Sequence, residues 1–132
     1  MKILIVDDDF LARQFLLTIL QNNNECHIAM NGEDAMELFN LSVMSSQPFD
    51  IILLDIVMPI MNGHQVIEKV RETEKHYNIP KDRMVKIVIT SAKDDAQHKI
   101  KSLKAGADKY LTKPLSPQKV ISIIKSFNIH KE

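Results

Sequence analysis

The chain has 132 residues, 45% of them apolar and 26% charged, with one cysteine and a formal net charge of zero. At about 100 to 200 residues per domain this is one globular unit over residues 1–132, which excludes disordered and fibrous classes and leaves no room for a separate catalytic or DNA-binding module. Cys26 alone excludes an internal disulfide and a thiolate zinc cage; no apolar run reaches the roughly 18 to 20 residues of a membrane span, and residues 2–9 do not read as a signal peptide.

A cytoplasmic protein without a membrane partner is expected. The zero charge hides a division, because residues 1–60 hold nine acidic side chains against two basic and residues 61–132 hold eight against fifteen. The bases are scattered singly, without a basic block or interleaved aromatics, so direct nucleic-acid binding is not expected.

Residues 2–6 form an apolar, β-branched run without polar alternation, the pattern of a strand covered on both faces. The acids Asp7, Asp8 and Asp9 follow, and Leu11, Phe15, Leu16, Ile19 and Leu20 then recur at helical spacing up to residue 22. A second strand is predicted over 26–30, with a turn at Asn31-Gly32 and a helix over 33–44 marked by Ala35, Leu38, Phe39 and Leu41. Residues 49–54 are the most apolar strand candidate and should be central; they run into Asp55, Met58-Pro59 and Gly63. A third helix is predicted over 65–75, a polar connection over 77–83, and a strand over 85–90 followed by Ser91-Ala92. A helix over 94–105 closes at Gly106, a strand over 108–112 leads to Lys113-Pro114, and a last helix spans 116–127.

Five strands alternating with five helices predict an α/β fold, a doubly wound five-stranded parallel sheet with helices on both faces. Ligands of such sheets bind beyond the carboxyl ends of the strands. Asp7 and Asp8, Asp55, Thr90 or Ser91, and Lys113 should meet there. Carboxylates crowded together repel unless a cation lies between them, and oxygen ligands without His or Cys suit Mg2+, with Mn2+ as the alternative. A carboxylate beside such an ion is a competent nucleophile toward phosphorus, with a lysine ammonium and a hydroxyl to neutralise the phosphoryl oxygens. Each residue also has a plainer reading: Asp9 as a helix cap, Asp55 as a turn, Ser91 as a cap, Lys113 as a solvated lysine. Together the plain readings require independent coincidences at four strand ends.

The sequence resembles the receiver domain of two-component response regulators, of the single-domain chemotaxis type. The resemblance rests on Ile5-Val6-Asp7-Asp8, Leu54-Asp55-Ile56-Val57-Met58-Pro59 with Gly63, Ser91-Ala92, Ala105-Gly106-Ala107 and Lys113-Pro114. It implies the flavodoxin-like receiver fold and a phosphorylation switch charged at Asp55 by a histidine kinase or histidine phosphotransfer protein. It further implies Mg2+ held by Asp8, Asp55 and the main-chain carbonyl of Val57, with Asp7 acting through coordinated water. Lys113 would pair with the phosphoryl group, the Lys113-Pro114 bond would be cis, and Ser91 with Tyr110 would be the switch residues. Ser91 is preferred to Thr90 because an ungapped count back from Lys113 places it at the family's hydroxyl position. The connection from His76 to Lys86 is longer than in the tightest family examples.

The domain would catalyse only its own phosphorylation and dephosphorylation and is not expected to be a turnover enzyme. A magnesium-dependent aspartyl-phosphate phosphatase needs a second acid two residues after the nucleophile, where this chain has Val57. A receiver-like binding module that works without phosphorylation would lack some of the acids, the hydroxyl or the lysine, and none is lacking. Signalling is expected through protein contacts on the side of the fourth and fifth helices. Lys99, Lys101, Lys104, Lys109, Lys119 and Lys125 there are either solvated or dock an acidic partner. His27, His64, His76, His98 and His130 are expected on the surface, and Met30, Met36, Met44, Met58, Met61 and Met84 as core filling.

Overall fold

The computed structural model describes residues 1–58, 61–92 and 95–127. It contains β1 (Lys2–Val6), α1 (Phe10–Leu20), β2 (Glu25–Ala29), α2 (Gly32–Met44), β3 (Ile51–Asp55), α3 (Gly63–His76), β4 (Lys86–Ser91), α4 (Ala96–Ala105), β5 (Lys109–Thr112) and α5 (Pro117–Ser126). The strands form one sheet in the order β2-β1-β3-β4-β5, and all are parallel, as the strand and helix alternation predicts. β3 is central and buried along its whole length.

Side chains alternate across each strand, so each strand feeds two cores. Ile3, Ile5, Ile51, Leu53 and Val88 pack with Leu16 and Leu20 of α1 and Val120 and Ile124 of α5. Leu4, Val6, Ile52, Leu54, Ile87 and Ile89 pack on the opposite face with Ala35, Met36 and Phe39 of α2 and Val66, Ile67 and Val70 of α3. This double burial explains the unbroken apolar runs.

The helices begin where capping side chains stop the chain. Asp9, Asn31, Asn62, Asp95 and Ser116 each accept a main-chain N–H from the first turn. Asp9 is thus the cap of α1, as expected. Gly106 ends α4 with a φ of +120°, a conformation that disfavours any side chain, and a Cβ there would also meet the Arg71 side chain at 3.0 Å. The 76–86 connection is built from a positive-φ turn at Asn78 and a 3-10 turn at Lys81–Arg83.

Two expectations are corrected. His64 is only 9% exposed rather than on the surface, because it lies at the α3–α4 contact and its Nε2 is 3.0 Å from the Ser102 hydroxyl. That hydroxyl donates to the His98 carbonyl, so the His64 Nε2 is the donor to it. Burial, and then the charges of Lys101 and His98, lower the His64 pKa. Met30 and Met44 are exposed rather than core residues, since one follows the edge strand and the other ends α2 on its outer side, whereas Met36 and Met58 are buried. His130 lies outside the described residues.

α3 is fixed to the sheet by a polar clamp. Arg71 donates to the carbonyls of Gly106 and Val85 and pairs with Glu74 and Asp108, while Glu74, 1% exposed, also accepts the Val85 N–H at 2.7 Å. Removing one partner of a buried, hydrogen-bonded ion pair strands the other. Glu74→Ala should therefore cost about 3 kcal/mol in urea denaturation, whereas Glu72→Ala, on the exposed side of the same helix, should stay within about 0.5 kcal/mol.

Candidate functional site

Asp7 and Lys113 stand just beyond β1 and β5, and Asp55 is the last residue of β3 rather than the first of the loop. Each is two residues past a side chain of the α1/α5 face, namely Ile5, Leu111 and Leu53. Strand alternation therefore aims all three to the same side of the rim. Lys113 Nζ donates to Asp7 Oδ2 at 3.0 Å and lies 3.7 Å from Asp55 Oδ2. Carboxylate oxygens of Asp7, Asp8 and Asp55 lie within 4.8 Å of one another.

The three acids differ in freedom. Asp7 is 2% exposed, and its other oxygen accepts the Asp9 N–H at 2.9 Å. Asp55 is 7% exposed and accepts the Val57 N–H at 3.3 Å. Asp8 is exposed. Burial raises the Asp55 pKa to about 6, opposed by the Lys113 charge and assisted by Asp7 and Asp8. Burial also works against the Lys113 ammonium, but the Asp7 hydrogen bond and the charges of Asp55, Asp7 and Asp9 outweigh it and hold its pKa above the usual lysine value.

Oxygen-only donors at this spacing fit a hard divalent cation. Oxygens bound to one Mg2+ at about 2.1 Å lie roughly 3 to 4 Å apart, and such ions use one or two carboxylates while keeping waters, for which exposed Asp8 leaves an open side. The Val57 side chain is exposed, and its N–H is turned to Asp55.

The loop after β3 returns closely on the strand. Gly63 N–H donates to the Ile56 carbonyl at 2.9 Å, and a Cβ at Gly63 would come within 2.7 Å of Ile56 Cα and 2.9 Å of the Asp55 carbonyl oxygen. Only glycine permits that approach without moving the Asp55 backbone. The Lys113–Pro114 bond is cis, as the resemblance implied. Lys113 N–H donates to the Ser91 carbonyl at 2.6 Å, which continues the β4–β5 ladder to the site. An apolar cavity of about 180 Å3 adjoins it, lined by Ala12, Phe15, Leu16, Pro114 and Leu115 as well as Asp7 and Lys113.

Both candidate hydroxyls are buried. Thr90 pairs in register with Asp55, whereas Ser91, 0% exposed, is one residue nearer the rim and points to the other face. Tyr110 pairs in register with Ile89, packs against that second core and has Lys99 Nζ 5.9 Å from its ring centroid. Ser91 and Tyr110 thus share the face that holds α4.

Comparison with known proteins gives the same assignment. The model of the response regulator receiver domain matches residues 3–125. The chain belongs to the response regulator receiver family. It is 36% identical over 127 residues to a hybrid signal transduction histidine kinase L of Dictyostelium discoideum and 35% identical over 126 residues to the transcriptional regulatory protein SrrA of Staphylococcus aureus. The matches cover 96% and 95% of this chain but only 7% and 46% of those proteins, so the chain spans less than half their length. Among solved structures, the CheX-CheY-BeF3-Mg2+ complex of Borrelia burgdorferi gives a TM-score of 0.82 at 26% identity, covering 98% of this chain and 90% of that one. The chemotaxis protein CheY4 of Vibrio cholerae gives 0.78 at 26%, covering 96% and 97%. Receiver domains are signalling modules, and no described helix here is long and apolar enough to cross a membrane.

Sequence reasoning did not single out Arg13, which lies beneath the acidic loop at 6% exposure and donates from Nη1 to the Asp7 carbonyl at 2.8 Å. Its helical position gave a weak signal, a lone charge between apolar residues.

A carboxyl whose pKa is raised on folding contributes stability that is fully present below its unfolded value near 3.8 and is lost as pH rises through about 6. Asp55→Asn does not titrate. In EDTA the variant should gain about 2 kcal/mol on the parent between pH 4 and pH 7 by urea denaturation, and an equal difference at both pH values would contradict the assignment.

Proposed function

We propose that this chain is a phosphorylation-dependent signalling switch that takes a phosphoryl group from a histidine kinase or a histidine phosphotransfer protein onto Asp55 in the presence of Mg2+, with Mn2+ able to substitute. The observation that carries the reading is the meeting of three carboxylates and one ammonium from the ends of β1, β3 and β5.

Asp8, Asp55 and the main-chain carbonyl of Val57 would hold the cation, with Asp7 acting through coordinated water. Mg2+ supplies positive charge against the oxygens of the phosphoryl group in flight. One Asp55 oxygen attacks phosphorus, the phosphorus–nitrogen bond to the donor imidazole breaks, and the leaving nitrogen takes up a proton. With a pKa of about 6, Asp55 is mostly ionised at neutral pH and available as the nucleophile. Lys113 is within reach to exchange its contact with Asp7 for a phosphoryl oxygen, and the Ser91 hydroxyl, at the end of β4, would turn to the rim as the second donor. Water attack on phosphorus later returns Asp55 and inorganic phosphate. Val57 stands where a turnover phosphatase keeps its second acid, so this hydrolysis is slow and stoichiometric.

Phosphorylation would favour a pre-existing conformation by adding contacts at Ser91 and Lys113. Tyr110 lies on the same face as Ser91 and is the natural second switch residue. α4 buries only Ser102 and exposes Ile100 and Leu103, so few apolar contacts resist its movement. A downstream protein would read the α4–β5–α5 side, where Lys101, Lys104, Lys109, Lys119 and Lys125 are exposed.

Intact-mass analysis after incubation with acetyl phosphate tests the reading. One added phosphoryl group should appear on the parent with Mg2+, and none in EDTA or on Asp55→Ala. Lys113→Ala should lower the yield at a fixed time about tenfold or more, in line with the loss of one charged group that stabilises transferring oxygens. Unchanged mass gain on Asp55→Ala would refute the proposed acceptor.

A further inference from the structure

Arg13 is charged, nine-tenths buried and poorly compensated. Among the described residues its Nη1 donates its one side-chain hydrogen bond, to the Asp7 carbonyl, its Nε is buried without a partner, and it forms no ion pair. The ring of Phe10 lies 5.8 Å from the guanidinium carbon. Burying a guanidinium on such terms is costly, and an apolar side chain of similar volume is often as good for stability.

What Arg13 does hold is one peptide. The Asp7 carbonyl belongs to the peptide that leads into Asp8, and Asp8 is the acid with the least support. Its carboxylate accepts no hydrogen bond among the described residues, whereas both Asp7 oxygens and one Asp55 oxygen accept one. The orientation of Asp8 therefore depends on its backbone. The Asp7 N–H is held by the Ala29 carbonyl, the Asp9 N–H by Asp7 Oδ1, and the Asp7 carbonyl by Arg13.

We propose that Arg13 is a positioning residue that presents the Asp8 carboxylate to a divalent cation by fixing the Asp7–Asp8 peptide, an inference that rests on the cation site proposed above. Its effect is opposite in sign to its charge. By Coulomb's law, removing the positive charge that sits on the Asp7 carbonyl would if anything tighten cation binding at the adjacent acids, whereas removing the clamp on the peptide loosens it.

Isothermal titration of the full chain with MgCl2 separates the two. Arg13→Met keeps the apolar stem and loses the donor and the charge. It should bind Mg2+ about tenfold more weakly than the parent, the usual range for residues that orient a ligand. In an Asp8→Asn background the same substitution should have no further effect. Arg13→Lys, which retains the charge with a single-point donor, should fall between parent and Arg13→Met. Thermal melts in EDTA check folding, and if Arg13→Met fails to fold, the comparison of Arg13→Lys with and without Asp8→Asn carries the test alone. In the metal-free protein the Asp8 and Asp9 amides should exchange with solvent faster in the variant, a readout independent of Mg2+. Unchanged or tighter Mg2+ binding by a folded Arg13 variant, or an equal loss in the Asp8→Asn background, overturns the proposal. A parent that shows no Mg2+ binding lost on Asp55→Ala overturns the cation site itself, and with it the function, whatever residue 13 does.

Discussion

The Lys113 ammonium between Asp7 and Asp55 is the interaction on which the site depends. Three carboxylates with oxygens within 4.8 Å repel one another, and two of them are nearly buried. Burial alone pushes Asp55 toward its neutral form, which would weaken it in both of its proposed roles, as cation ligand and as nucleophile. Lys113 opposes that shift, and among the described residues it is the basic one within ion-pair distance of Asp7 and Asp55. The sheet order also explains why the cation is a lysine. β5 is two strands from β3, a lateral step of about 10 Å at ordinary strand spacing. A long flexible stem carrying a compact charge can cross the end of β4 to reach Asp55.

That reach needs a rim that does not move. The Lys113 N–H is tied to the Ser91 carbonyl, and the Asp55 backbone is hemmed in by Gly63 on its return from the loop. The clamp of Arg71 and Glu74 fixes the other side of α3 to the starts of β4 and β5. The polar groups at the carboxyl rim are thus held from below by a core in which every strand residue from Ile3 to Val6 and from Ile51 to Leu54 is buried.

Much of this is legible in the amino-acid order because the constraints are strong. A strand buried on both faces must be apolar throughout, so β1, β3 and β4 stand out, and the acid, hydroxyl and lysine that interrupt them stand out equally. Alternation of five strands and helices then leaves few arrangements of a parallel sheet. What is not legible depends on packing between elements distant in the chain. His64 lies in the first turn of α3, two residues after its cap, and reads as solvent-facing, yet α4 covers it and Ser102 supplies its partner 38 positions away. Leu11, Leu41 and Ile121 fit helical stripes but are exposed, because the buried stripe of each helix is narrower than its apolar residues suggest. Arg13 escaped notice for the same reason, since its value lies in a main-chain carbonyl that no side-chain pattern reports.

The two faces of the sheet divide the proposed labour. Asp7, Asp55 and Lys113 continue the alternation of the α1/α5 face, while Ser91 and Tyr110 belong to the face that carries α2, α3 and α4. β4 connects them, because Thr90 pairs with Asp55 on the first face and Ser91, the next residue, turns to the second. A side chain at the end of that strand can respond to charge at the rim while displacing packing on the far face. On the second face α4 is the least secured helix, since it contributes one fully buried side chain, a serine, where α2 and α3 each bury five or more residues. A firmly held rim beside one lightly packed helix, α4, is the arrangement the proposed switch requires, for a phosphoryl acceptor must keep its geometry while a reporting helix changes its own.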